Sequence, residues 1–324
     1  MSSIASHDSR SASIPSSERR SEDWNRLPAE YAIPAAPPTE AEAQQYCRRL
    51  ARTHYENFSV ATWFLPERLR QHFFNVYAYC RISDDLGDEV GDPSVALRLL
   101  DQWEAELHAC YAGHPRHPVF VALADTVRRF EIPKQTFVDL LTAFRQDQTV
   151  PRYPAFGDLL GYCHYSANPV GHLVLYVCGY RDAERQALSD FTCTALQLAN
   201  FWQDVSSDYA RGRIYLPAED MQRFGVTEDD IAAQRNTSAF CDLLRFEVER
   251  ARDWFQKGLP LIDKVDRELA TDLELFSRGG QEILRAIEAQ GYNVLGRRPA
   301  IPKSRKLALV MRAAWGRLPW VGTT

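Results

Sequence analysis

The chain has 324 residues, 45% of them hydrophobic, and a formal net charge of −5. That length can bury a sizeable core in one large domain or two small ones. The mild negative charge argues against nucleic-acid binding. No uncharged apolar run reaches the roughly 18 residues that a membrane-spanning helix needs.

Residues 1–38 are rich in Ser, Arg and Pro without a signal-type apolar segment, and they read as a disordered extension. Order is expected from Thr39, which has capping-box spacing with Glu42. Helical periodicity then runs over 40–56, 66–90, 94–112, 117–130, 133–146, 155–179, 183–211, 227–233, 238–265 and 267–290. Gly, Pro or Asn mark the breaks, as at Gly91-Asp92-Pro93, Gly113-His114-Pro115 and Asn236. No period-2 alternation argues for a sheet, so residues 39–295 are expected to form one all-α domain.

Seven cysteines stand singly, without a CxxC pair. Buried free thiols in a reducing, cytoplasmic setting are the expected reading. Residues 296–324 carry seven Lys or Arg and no acid, interleaved with Leu307, Val310, Met311, Trp315 and Trp320. Such a basic amphipathic tail can lie on the anionic cytoplasmic membrane surface, or it can pack on the acidic body.

Two aspartate pairs stand out. Asp84 and Asp88 lie in Asp-Asp-Leu-Gly-Asp-Glu (84–89), and Asp204 and Asp208 lie in Gln-Asp-Val-Ser-Ser-Asp (203–208). At i, i+4 each pair shares one helical face. Tyr77, Arg81 and Asp84 or Asp85 extend the first stripe, and Gln197 and Asn200 extend the second. Gly87, Gly91 and Gly212 place both pairs at helix C-termini, where the helix dipole disfavours negative charge. Ion pairs with Arg81, Arg211 and Arg213 are one way to balance these charges; hard divalent cations with oxygen ligands are another.

Three segments in order are Asp-Asp-Leu-Gly-Asp-Glu (84–89), Tyr-Cys-His-Tyr-Ser-Ala-Asn-Pro-Val-Gly (162–171) and the stretch from Gln197 through Asn200 and Asp204 to Arg213-Ile214-Tyr215-Leu216-Pro217. Together they resemble the squalene/phytoene synthase family over roughly residues 45–295. The resemblance implies an all-α prenyl-synthase bundle around a central cavity, with Mg²⁺ binding a prenyl diphosphate. It implies metal positions at Asp84, Asp85, Asp88, Asn200, Asp204 and Asp208. Arg81, Gln197, Asn200, Arg213 and Tyr215 match positions near the diphosphate, and Tyr162 and Tyr165 lie in a motif lining the cavity.

A finer resemblance, to the hydroxysqualene synthase branch of bacterial hopanoid pathways, rests on Glu-Asn-Phe-Ser-Val-Ala (56–61), Ser-Ala-Asn-Pro-Val-Gly (166–171) and Gln203. The wider family usually has Val-Ala-Gly-x-Val-Gly at 166–171 and often Arg at 203. The branch implies presqualene diphosphate as substrate and water as the quencher, with Ser166, Asn168, Gln203 and the tyrosines as groups that can position that water. It also implies handover to or from neighbouring pathway enzymes. A head-to-head synthase making presqualene diphosphate, squalene or phytoene stays open, as does a non-catalytic membrane-associated relative.

Overall fold

A computed structural model describes residues 23–53, 66–302 and 305. Twelve α-helices are described: α1 (Glu40–Thr53), α2 (Glu67–Asp88), α3 (Pro93–Tyr111), α4 (Pro118–Phe130), α5 (Lys134–Gln146), α6 (Phe156–Ser166), α7 (Asn168–Val177), α8 (Ala183–Ala210), α9 (Ala218–Phe224), α10 (Glu228–Ala232), α11 (Ser238–Gly258) and α12 (Arg267–Ala289). The all-α expectation holds. The one extended pairing among the described residues is a single parallel bridge between Arg152 and Ile214.

Most helix starts follow the expected chemistry. The Asp92, Asp182, Thr237 and Asp266 side chains each accept a backbone N–H of the first turn, satisfying donors that lack an intrahelical partner. Two long helices are shorter than their periodicity implies. The run 155–179 breaks at Ala167 (φ −116°), because Pro169 has no N–H to continue the ladder and restarts the chain as α7. The run 238–265 leaves α-geometry at Gly258 and continues as a 3₁₀ turn, Leu259–Lys264, with Pro260 near its start. Helix α9 has no counterpart among the expected elements.

The N-terminal expectation needs the larger correction. Residues 23–38 are packed on the body, with Trp24, Leu27 and Tyr31 buried and Ala29–Tyr31 forming a 3₁₀ turn. Arg98 grips Asp23 with two hydrogen bonds of 2.9 and 2.8 Å, and Trp24 Nε1 donates to Gln102 Oε1 at 3.0 Å. Three apolar anchors are enough to order a segment whose composition is otherwise that of a tail.

Two apolar cores divide the molecule. One joins the N-terminal segment, α1–α5 and α7, around Tyr79, Trp103, Phe120 and Phe137. The other joins α6, α8, α11 and α12, around Trp202, Phe240 and Phe255. Between them lies a cavity of about 810 Å³ walled by α2, α5, α7, α8 and α12. Gly171 permits the close crossing of α7 on α8 beside it, since a Cβ there would lie 2.2 Å from Ser189 Oγ. The segment 56–61 and most of the basic tail lie outside the described residues. No described helix is long and apolar enough to cross a membrane.

Candidate active site

Both aspartate pairs end long helices, as Gly91 and Gly212 imply: α2 stops at Asp88 and α8 at Ala210. Neither last turn holds a basic residue to offset the dipole. Gly212, at φ +83°, turns the chain back, a conformation that favours glycine. The turn is held by Arg152, which donates to the Gly212 carbonyl at 2.7 Å, and by the Ile214 N–H to Pro151 O bond of 2.9 Å. Arg213 thereby reaches across to α2. Its Nη2 donates to Asp88 Oδ1 at 2.9 Å, and Arg211 approaches Asp88 Oδ2 at 3.4 Å. Arg81 Nη1 lies 3.7 Å from Asp84 Oδ2. The arginine balance weighed from sequence is therefore present.

The arginines do not fully settle the charge. Burial pushes the Asp84 carboxyl up to about 7, with the charge of Asp88 adding to the rise. Burial raises Asp208 to about 7 as well, followed by the effect of Asp204. Asp84 keeps 49% of its side chain in contact with solvent, so this is the desolvation of a cleft wall and not of a sealed interior. The sign for stability follows. Between about pH 4 and 7 the folded state holds protons that the unfolded chain has released, so metal-free stability falls as pH rises through that window and levels off above it. Melts at pH 8 should show Asp84→Asn or Asp208→Asn gaining about 1–2 °C, on the order of 1 kcal/mol after solvent screening. A loss of melting temperature at pH 8 would contradict the electrostatic reading.

These residues fit a hard divalent cation in a particular way. Among the described residues no three His, Cys, Asp or Glu side chains are gathered tightly enough to hold one ion. Each face offers two carboxylates, and Asn200 is exposed one turn before Asp204 on the second. Mg²⁺ commonly takes one or two carboxylates and completes its shell with water and substrate phosphate oxygens. Gln197, half-buried, lies one turn further up the same face of α8.

Several expected site residues do other work. Asp85 is buried; both its oxygens are engaged by Arg81, and Tyr31 OH donates to Oδ2 at 2.6 Å. It ties the N-terminal segment to α2, and both its oxygens are taken up within the fold. Tyr162 and Tyr215 sit in the second core, not in the cavity wall. Their hydroxyls donate to the two oxygens of Asp147 at 3.0 and 3.2 Å, and Tyr215 stacks on Phe201 with centroids 3.9 Å apart. Tyr165 is half-buried against His164, also away from the wall, and His164 is exposed. Asn168 is a helix clamp, its Oδ1 accepting from Thr194 Oγ1 at 3.1 Å.

Gln203 is buried and faces away from the cavity. Its Nε2 donates to the Pro299 carbonyl at 2.6 Å and its Oε1 accepts from Arg298 Nη2 at 3.0 Å, so it does not position a water in the cavity. Two residues unmarked by any motif join the site. Burial raises Asp147 to about 6, against the opposing pull of Arg213. Arg298 binds both carboxylate oxygens of Asp204. Only the three-dimensional arrangement brings either one in.

The cavity itself is mostly apolar, with Tyr77, Phe144 and Phe276 among its walls and Arg81 and Asp84 at one end. Its volume is at the upper part of the range of about 300–1,000 Å³ typical of small-molecule sites. Ser166 also lines it, and Ser166 Oγ is buried without a hydrogen-bond partner.

The sequence profile of squalene/phytoene synthase matches residues 51–305. A 15-cis-phytoene synthase of Synechocystis sp. is 33% identical over 299 residues, covering 87% of this chain and 88% of the relative. The crystal structure of squalene synthase HpnC from Alicyclobacillus acidocaldarius superposes with a TM-score of 0.75 at 45% identity, covering 84% of this chain and 99% of that one. A dehydrosqualene synthase solved with a ligand gives a TM-score of 0.78 at 27% identity over 85% and 96% of the two chains.

Proposed function

Because the chain belongs to the squalene/phytoene synthase family, we propose that it converts presqualene diphosphate and water to hydroxysqualene and diphosphate with Mg²⁺. The observation that carries this reading is the unpartnered Ser166 hydroxyl at the wall of a mostly apolar cavity that Asp84 and Arg81 also line. An orphaned buried hydroxyl costs about 1–3 kcal/mol. A rotamer that turns it into the cavity it lines would give it a water as partner, beside the hydrocarbon. The family's usual valine at this position offers no such group. The 45% identity to squalene synthase HpnC, against 33% to the phytoene synthase, favours the squalene side of the family over the phytoene side.

The chemistry is ionisation followed by capture. When bound, Mg²⁺ neutralises the diphosphate and makes it a good leaving group. Asp84 and Asp88 on one side and Asn200, Asp204 and Asp208 on the other would hold the metal, while Arg81 and Arg213 would supply positive charge beside the phosphate oxygens. The carbon–oxygen bond breaks with its electron pair leaving on diphosphate. The faces of Tyr77, Phe144 and Phe276 steady the carbocation without attacking it. After the skeleton rearranges, water adds, and the extra proton passes to released diphosphate or solvent. The Tyr162–Asp147–Tyr215 group keeps the α5 end beside Arg213 in place.

The test is incubation of purified protein with Mg²⁺ and presqualene diphosphate, without a nicotinamide reductant. Hydroxysqualene is the expected product. Accumulation of presqualene diphosphate from farnesyl diphosphate, or phytoene from geranylgeranyl diphosphate, would favour instead the condensation reaction named by the phytoene synthase relatives. Ser166→Val should lower the share of alcohol about fivefold, the equivalent of one hydrogen bond to water, in favour of polyenes formed by proton loss. An unchanged product spectrum would remove Ser166 from this role.

A further inference from the structure

The segment after α12 is pinned on both sides of Arg298. Val294 and Leu295 are buried in the second core. Gln290 Nε2 donates to the carbonyls of Asn293 and Arg297 at 3.1 and 3.0 Å. Just beyond, Gln203 Nε2 holds the Pro299 carbonyl at 2.6 Å. Arg298 is thereby delivered to Asp204, where Nε and Nη2 cover the two carboxylate oxygens and Nη2 also reaches Gln203 Oε1.

We propose that residues 297–299 form a strap, anchored by Gln203, whose Arg298 stands in for a cation at Asp204 and must be displaced when a divalent cation binds there. This rests on the reading of Asp204 as a metal ligand. The argument is one of exclusion. A carboxylate with both oxygens covered by a guanidinium presents none to an ion, and the arginine charge repels that ion. The pair is also weak enough to yield. Arg298 is 61% and Asp204 23% exposed, and ion pairs open to solvent on one side typically contribute about 1 kcal/mol, roughly a fivefold effect. Gln203 thus has a use at a position where the wider family often carries arginine. It places a neighbouring segment's charge on the site and leaves that charge free to move.

Mn²⁺ binding to the full chain, followed by the loss of the free-ion paramagnetic resonance signal and without diphosphate, tests this apart from catalysis. R298Q should bind Mn²⁺ about three- to fivefold more tightly than the parent chain. Q203A, which cuts only the anchor, should shift affinity in the same direction by less. In a D204N background the R298Q effect should vanish. Unchanged or weaker Mn²⁺ binding by R298Q with a native circular dichroism spectrum, or an R298Q effect that persists with D204N, would overturn the strap. No Mn²⁺ binding by the parent chain or by R298Q would overturn the metal site and the strap together.

Discussion

Asp84→Ala and Asp204→Ala should each lower turnover by at least about 10²–10³-fold while leaving the fold intact, the scale lost when one preorganised electrostatic contact to a developing anion is removed. The physical case is in the helix ends. Four like charges lie on the last two turns of α2 and α8, with Asp88 and Asp208 in the final turns where the dipole opposes them, and burial raises Asp84 and Asp208 further. A sequence selected only for stability would place Lys or Arg there. Neutral replacements should therefore hold or raise stability while removing activity, and steady-state assay beside a thermal melt separates the two. Near-wild-type turnover in either variant would contradict the metal assignment. Asp204→Ala should also free Arg298, and Asp84→Ala should not.

Asp85→Ala should behave in the opposite way, although it adjoins Asp84 in the same motif. It should cost about 2–3 kcal/mol, because it leaves Arg81 without its buried partner and orphans the Tyr31 hydroxyl. The N-terminal segment should loosen first, since Tyr31 is its deepest anchor on α2. Denaturant melts measure the loss, and hydrogen exchange over residues 23–38 locates it. The Mg²⁺ concentration needed for half-maximal activity should change little. A shifted Mg²⁺ requirement with stability unchanged would return Asp85 to the metal face.

The helices were readable where local signals agreed. Glycine after Asp88 and after Ala210 placed both acidic pairs at helix ends, and apolar periodicity with flanking Pro and Gly placed most of the rest. The break at Ala167 was obscured because the apolar pattern continues through Pro169 into Val177, and periodicity alone does not register a missing N–H. The packing of residues 23–38 was hidden by composition. Three well-spaced apolar residues in a Ser- and Pro-rich stretch do not look like a folded segment until α2 and α3 supply the other surface.

The site was legible at its aspartates and less so around them. Motif membership pointed to Gln203 and Tyr162, but it does not say which way they face. Gln203 turns to residues 298–299 and Tyr162 to Asp147. Asp147 and Arg298 lie 57 and 94 residues from Asp204 in sequence, and neither carries a local signal. Long-range partners of this kind depend on how helices cross, which spacing within one helix does not encode.

A cation formed in this cavity by loss of diphosphate should be quenched by water. The most direct measurement runs the presqualene diphosphate reaction in ¹⁸O-labelled water and weighs the product. Hydroxysqualene carrying the label on its hydroxyl oxygen is the expected product. An unlabelled hydrocarbon as the sole product, or an alcohol whose oxygen comes from the diphosphate ester, would contradict it.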